Sequence, residues 1–298
     1  MKIVALVVVL GLVLAMGWQH RRYLAARRGP VQDQQSLFYG GATLHVVSFL
    51  RSAEGADVLE DLRKLRNDVE ASGRAKIVYA GRAAPLGLES SQLGEADWDA
   101  VVLVQYPSRD AYHAAAASAA HRDAFGRFEA AYSHGMDRPV LVNLAIPMML
   151  LALRAYQIVT FQPSIYPLAP ADPGALDARA RQTPERFERL NALRELNSDA
   201  IVIVNLLKGG TPDQRAKDRS YGLKMAGGFA EGGHGPMHIG RAVRLEGDAE
   251  FDNVALVYYP GVDYMRQLMQ SRFFNDIVGD KQLGDTMAVP TVPVLSRL

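Results

Sequence analysis

Apolar residues fall into two periods along this chain, and they alternate in a fixed order. LHVVSFLR (44–51) is a β-rich run bounded by Gly40-Gly41 and Gly55, which predicts a strand. Behind it Val58, Leu59, Leu62, Leu65 and Val69 recur at helical spacing. KIVYAGRA (76–83) predicts a second strand and VVLVQY (101–106) a third, stopped by Pro107, which has no amide to donate. Ser108 stands where a helix cap belongs, with Ala111 to Phe128 behind it, and RPVLVNLAI (138–146) predicts the closing strand. The order is strand, helix, strand, strand, helix, strand.

The same order recurs about 155 positions later. WDAVVLVQYP (98–107) is answered by FDNVALVYYP (251–260), YAGRA (79–83) by HIGRA (238–242), and VSFLR (47–51) by VNLLK (204–208). Ser118 and Asp123 meet Ser271 and Asp276 in the same register. A repeat this long means duplicated domains. In the second copy Thr211-Pro212 supplies cap and first helical residue. A βαββαβ order predicts an antiparallel sheet with both helices on one face, the ferredoxin-like arrangement of an α+β fold. Strands such as VVLV and VALV are apolar on both faces, so the face without helices needs a cover. Two tandem copies that cover each other form a pseudo-dimeric α/β barrel within one chain. The rival arrangement pairs each copy with another molecule, as a homo-oligomer.

Two apolar segments lie outside the copies. Residues 3–18, IVALVVVLGLVLAMGW, carry no charge and span roughly 24 Å as a helix, between a signal-peptide core and a short transmembrane helix. Arg21, Arg22, Arg27 and Arg28 follow directly and favour an uncleaved anchor with a cytoplasmic body; export after cleavage near Ala15 and Gly17 is the alternative. Trp18 and Tyr23 suit the interface. MMLLALRAYQIVTF (148–161) is too short to span, and reads as a helix lying on a membrane surface or packed on its own domain. A Pro/Ala-rich linker (162–177) follows, and TPERFERLNALREL (183–196) reads as a capped amphipathic helix. The expected organisation is therefore an anchor with a basic segment (1–28), a first domain (40–147), a connecting region (148–197) and a second domain (198–298).

Composition narrows the partners. The 33 basic residues nearly cancel 32 acidic ones, so nothing favours nucleic acid. Cysteine is absent, which removes disulfides, thiolate metal sites and cysteine nucleophiles. His234 and His238 have the spacing of a helical metal pair, but Gly235 and Pro236 intervene and a strand follows. No metal and no cofactor is expected. GGFAEGGHG (227–235) lacks the Gly-Lys-Ser/Thr ending of a phosphate loop and reads as a helix end and turn.

On these residues both copies resemble the dimeric α/β-barrel superfamily, and most of all its domain-of-unknown-function 1330 family. The carriers are Asn205-Leu206-Leu207-Lys208 at the first strand, Gly240-Arg241 at the second, and Trp98-Asp99 with Tyr106-Pro107-Ser108 at the third. The resemblance covers about 43–146 and 199–296. Copy one departs at Ser48, in place of the Asn, and copy two at Gly261, in place of the Ser. The family has no assigned activity. The wider superfamily, with its cofactor-free monooxygenases, haem-degrading enzymes, peroxidases and isomerases, implies a small-molecule site between sheet and helices. Its haem-ligand position falls on Phe125 and Ile277, with His121 one turn earlier, so haem is not implied here.

Candidate site residues follow from the repeat. Asn205 lies on the strand face of Ile203 and Leu207, where a carboxamide either orients a ligand or bonds nearby backbone. His238 matches Tyr79 as a packing or ligand-lining position. Arg82 and Arg241 recur, either to grip an acidic ligand or, as favoured, to pair with a carboxylate such as Asp99 or Asp252. Tyr106 and Tyr259 end a strand, where the ring packs and the hydroxyl either reaches a cleft or, as favoured, belongs to the core. The favoured function is small-molecule binding in the copy holding Asn205, His238, Arg241 and Tyr259. The alternatives are a cofactor-independent oxygenase or isomerase using those groups, and a scaffold subunit of a membrane complex. The other partner expected is membrane lipid, through the N-terminal helix.

Overall fold

The structure is a computed structural model that describes residues 2–26, 44–71, 73–84, 90–93, 97–139, 142–172, 174 and 200–296. A first helix, α1 (Lys2–Ala26), precedes the first copy: β1 (Leu44–Arg51), α2 (Val58–Ala71), β2 (Lys76–Ala83), β3 (Ala100–Tyr106), α3 (Arg109–Ala116), α4 (Ala119–Phe125) and β4 (Ala130–Asp137). A connecting helix α5 (Val142–Val159) leads to the second copy: β5 (Ile201–Leu207), α6 (Pro212–Gly232), β6 (Gly235–Val243), β7 (Asn253–Tyr259), α7 (Gly261–Met269), α8 (Arg272–Val278) and β8 (Met287–Ser296). The amphipathic helix expected over 183–196 lies outside the described residues, as do Arg27 and Arg28.

Each copy forms a four-stranded antiparallel half-sheet, ordered β4-β1-β3-β2 and β8-β5-β7-β6. The halves join edge to edge, β2 to β8 and β4 to β6, and close an eight-stranded barrel. No half keeps a free edge, and the inner faces confront each other. Alternation then divides the apolar residues among three cores. Val47, Leu103, Val204 and Leu256 fill the barrel from both copies. Leu62, Leu65, Tyr106 and Phe128 fill the layer between the first half-sheet and its helices. Leu150, Phe229, Tyr259 and Ile277 fill the corresponding second layer. Strands apolar on both faces are thus buried on both faces.

The repeated motifs mark the joints. Gly81 and Gly240 face the barrel at the two seams. A Cβ on Gly81 would lie 2.9 Å from the Thr291 side chain, and one on Gly240 2.6 Å from the Asp137 carbonyl oxygen. Trp98 and Phe251 pack on the barrel core. The aspartates behind them accept from the backbone just past the first strand of their copy: Asp99 from Ser52 N–H at 2.8 Å, Asp252 from Gly209 N–H at 2.7 Å. Ser118 and Ser271 break the second helix of each copy, and their hydroxyls cap α4 and α8 by accepting from His121 and Phe274 N–H. Thr211 and Gln214 form a capping box on α6.

One element differs from expectation. The closing strand of copy one is Ala130–Asp137, and 142–146 begins a helix. AAYSHGMD is a weak strand by composition, but it has the small residues that the β4–β6 seam demands: a Cβ on Gly135 would meet the Val243 carbonyl oxygen at 2.9 Å. In 142–159, Ile146, Leu150, Leu153 and Gln157 instead form one inward stripe, the spacing of a helix face. α5 runs across the expected boundary at 147/148 and packs on α6 and α1.

α1 is long and apolar enough to cross a membrane, a test that a signal sequence also passes. Residues 2–14 are exposed, and the helix meets the body only toward its C-terminal end. There Arg22 lies over the Trp18 ring at 4.9 Å and donates to the Glu231 carbonyl oxygen at 3.1 Å.

Candidate functional site

The sheet–helix layer of the second copy contains a polar cluster centred on a buried histidine, where the first layer instead gathers Tyr112, Ser133 and Ser48 about Glu246. α6 ends at Gly232, and Gly233 turns the chain with φ of 77°, a left-handed conformation suited to glycine. That turn drops His234 into the layer, where it is 2% exposed. Its ring meets Phe229 at 5.4 Å and Tyr264 at 4.7 Å. The Tyr166 hydroxyl lies 3.1 Å from His234 Nε2 and 2.6 Å from the Tyr264 hydroxyl, and donates weakly toward the Gly228 carbonyl oxygen at 3.4 Å. Tyr259 closes the group, with ring centroids 6.4 Å from His234 and 6.5 Å from Tyr264.

Glu231 holds Tyr166 in place. Its carboxylate accepts from the Ser164 hydroxyl and from Ile165 N–H at 3.1 Å, and lies 3.8 Å from Arg154 Nη1. Burial raises its pKa, but the Ser164 hydroxyl, the backbone N–H groups and the Arg154 charge outweigh that and hold the carboxyl below its usual range. The linker is thereby pinned to the end of α6 with the Tyr166 hydroxyl over the imidazole.

The histidine and its three tyrosines are neutral. Burial lowers His234 to a pKa of about 4, so the imidazole is uncharged at pH 7. Burial raises Tyr166, Tyr259 and Tyr264, so all three keep their phenolic protons. His234 Nδ1 is buried and has no hydrogen-bond partner among the described residues. It accepts or donates according to which ring nitrogen holds the proton.

The sequence-derived candidates lie in several places. Tyr259 belongs to this cluster. Asn205 is on the same sheet face, four residues along β5 from the partner of Tyr259, and its Nδ2 donates to the carbonyls of Ile203 and Ala255 at 3.0 and 3.1 Å. His238 faces the barrel interior, its ring 4.5 Å from His45. His234 and His238 therefore point to opposite sides of the sheet, which removes them as a metal pair. Among the described residues no group of three His, Asp or Glu is placed to hold a metal ion. Tyr79 is in the barrel, its hydroxyl 2.5 Å from Thr291 Oγ1. Tyr106 is in the first layer against Tyr112. Arg82 is half-buried at the β2–β8 seam. Arg241 is exposed and pairs with Asp137 across the β4–β6 seam at 3.0 Å; its carboxylate is Asp137, not Asp252.

The residues missed by sequence reasoning are Tyr166, Glu231 and Tyr264. Tyr166 sits in a Pro-rich linker with no periodicity, and Tyr264 looks like one more apolar-face residue of α7. His234 was visible, one residue past Gly233 at the end of α6.

No family model and no curated protein matches the chain. Among solved structures it is similar to a protein named as a candidate monooxygenase from Lactobacillus acidophilus NCFM, with 9% identity over 86% of this chain and 97% of that one, at a TM-score of 0.42. A mutant chlorite dismutase from Candidatus Nitrospira defluvii gives 10% identity over 86% and 93%, at 0.40. A dimeric ferredoxin-like protein of unknown function from Bacteroides fragilis covers 34% of this chain and 98% of its own, at 16% identity and 0.22.

Proposed function

We propose that this chain is a membrane-anchored protein that binds a small molecule in the sheet–helix layer of its second copy, against His234. The observation that carries the reading is the imidazole itself: buried, neutral, bonded at Nε2 and without a described partner at Nδ1. A buried polar atom left unmatched costs about 1–3 kcal/mol, which a bound molecule recovers. With no charge on the imidazole or the three phenols, the Glu231 carboxylate taken up by Ser164, Ile165 and Arg154, and aromatic rings on several sides, the matching ligand is uncharged, with a flat apolar body and one hydrogen-bonding group for the ring nitrogen.

The enzyme reading, a cofactor-independent oxygenase or isomerase, comes second. In its favour, a neutral imidazole has one unprotonated ring nitrogen. Against it, a base with a pKa of about 4 is poorly matched to proton abstraction near neutrality. The scaffold reading fits the barrel and the first layer, both filled largely by apolar side chains, but not the second layer.

Native mass spectrometry of the full chain extracted in detergent tests this. The parent protein is expected to carry a small-molecule mass that His234→Phe loses while its melting temperature stays near the parent's. A parent that carries none, and a variant that only gains stability, would point to a packed core.

A further inference from the structure

Independently of that ligand, though resting on α1 as a membrane span, α5 has a second face that the fold does not cover. Its inward stripe is Ile146, Leu150, Leu153 and Gln157. The opposite positions Met148, Met149, Ala152, Tyr156 and Val159 are all uncharged. The helix's one charge, Arg154, reaches Gln157 and Glu231. We propose that this outer face, with Phe161 beyond its end and Leu223 on α6, is a lipid-facing surface that lays the second copy against the bilayer crossed by α1.

Phe161 is the strongest sign. The α5 terminus is closed by Phe161 N–H to the Ile158 carbonyl and Gln162 N–H to the Gln157 carbonyl, the pattern in which the last residue turns left-handed and is normally glycine. Here it is phenylalanine at φ 51°, with its side chain 91% exposed. That backbone costs roughly 1–2 kcal/mol for a residue with a Cβ, and in water the ring gains nothing in return. Ile158 and Val159 beside it are 61% and 74% exposed. α5 and α6 run antiparallel, since Arg154 meets Glu231 and Gln157 Nε2 donates to the Gly227 carbonyl. That register carries Phe161 toward exposed Leu223. The covering medium is indicated by α1, which packs along α5 and is fixed to the end of α6 by Arg22 before its apolar residues leave the body. A bilayer that receives residues 3–18 starts beside α5. Apolar side chains with Tyr and Phe among them fit the interfacial zone.

The chain has no cysteine, so single nitroxide labels report cleanly. Full-length Phe161→Cys, Val9→Cys and Lys64→Cys are labelled and reconstituted into phosphatidylcholine nanodiscs, and collision with oxygen is compared with collision with a water-soluble nickel chelate. The expected result is a shift toward oxygen at 161 and at 9, with position 64 on α2 remaining nickel-accessible. If 161 behaves like 64 while 9 is in lipid, the anchor stands and the docked face is wrong. If 9 is also in water, the proposal falls with its premise. Dipolar broadening at 161 would show a second copy on this face and would overturn the lipid assignment. The His234→Phe mass measurement does not depend on any of these outcomes.

Discussion

The two sheet–helix layers are built on one plan and filled differently. In the first, α2 has 14 residues and lays Leu62, Leu65 and Val69 on the sheet. Tyr112 stacks edge-on to Tyr106 and donates to Glu246 of the second copy at 3.0 Å. In the second, α6 has 21 residues. The seven added residues extend the helix by about 10 Å and deliver Glu231 and His234, around which Tyr166 and Tyr264 gather. The seams and the shared barrel need both copies; a polar layer needs only one. Duplication within a chain lets the two layers diverge while the barrel keeps its shared core.

Acid should separate the layers most strongly. Burial depresses His234 and His134 to pKa values of about 4, and burial with the Arg138 charge depresses His45 to about 3. Each folded-state value is below the unfolded value near 6.5. The unfolded chain therefore binds the extra protons, and stability is full above pH 6.5 and lost as pH falls toward 4. At pH 5 each histidine should cost about 2 kcal/mol relative to pH 7.5. Urea unfolding at the two pH values measures this. His234→Phe should remove only the share of the second layer, leaving that of His45 and His134 in the barrel. An unchanged pH slope in that variant would mean His234 does not titrate as a buried group.

The seams come next. Gly240→Ala puts a methyl group against the Asp137 carbonyl, and overpacking of this kind costs typically 1–3 kcal/mol. Gly222→Ala on α6, with nothing within 4 Å of the added carbon, should stabilise by roughly 0.5–1 kcal/mol. A Gly240→Ala protein as stable as the parent would show that the copies are not held as tightly as the closed barrel requires.

Tyr264→Phe and Tyr112→Phe sharpen the contrast further. Each deletes one partly buried hydroxyl bond, to Tyr166 and to Glu246 respectively, for about 1 kcal/mol. Only Tyr264→Phe should also change the mass retained in native spectra. Equal effects of both on ligand retention would assign the ligand somewhere other than the second layer.

The architecture was legible because its signals are long or repeated. Four matched blocks predicted two βαββαβ units, and strands apolar on both faces required the second half as a cover. The Gly-Arg and Trp-Asp motifs were visible as repeats, but their roles at seams and strand ends depend on which strand lies beside them. β4 was hidden for a related reason. AAYSHGMD is chosen by close approach to β6, not by apolar alternation, while VLVNLAI has β-propensity that the inward stripe of α5 overrides. The polar cluster was only partly legible. Tyr259 carried a signal through the repeat, whereas Tyr166 reaches His234 because Glu231 pins a linker, a tertiary event with no period.

A last comparison tests whether the layers differ where their sequences agree. Ser118 Oγ accepts from His121 N–H at 3.2 Å and donates to the Ala115 carbonyl at 2.6 Å; Ser271 Oγ accepts from Phe274 N–H at 3.1 Å and donates to the Leu268 carbonyl at 2.5 Å. The two caps make the same bonds, but Ser118 is half-exposed and Ser271 is wholly buried. Water can replace the lost acceptor at the first and not at the second. Ser118→Ala should therefore cost about 0.5–1 kcal/mol, and Ser271→Ala about 1 kcal/mol more, because the Phe274 amide is left unmatched. Thermal or urea unfolding of the pair reads the difference directly. Since the bonds are matched, it measures how much drier the second layer is at its helix break. Equal losses would mean that water reaches both helix breaks alike.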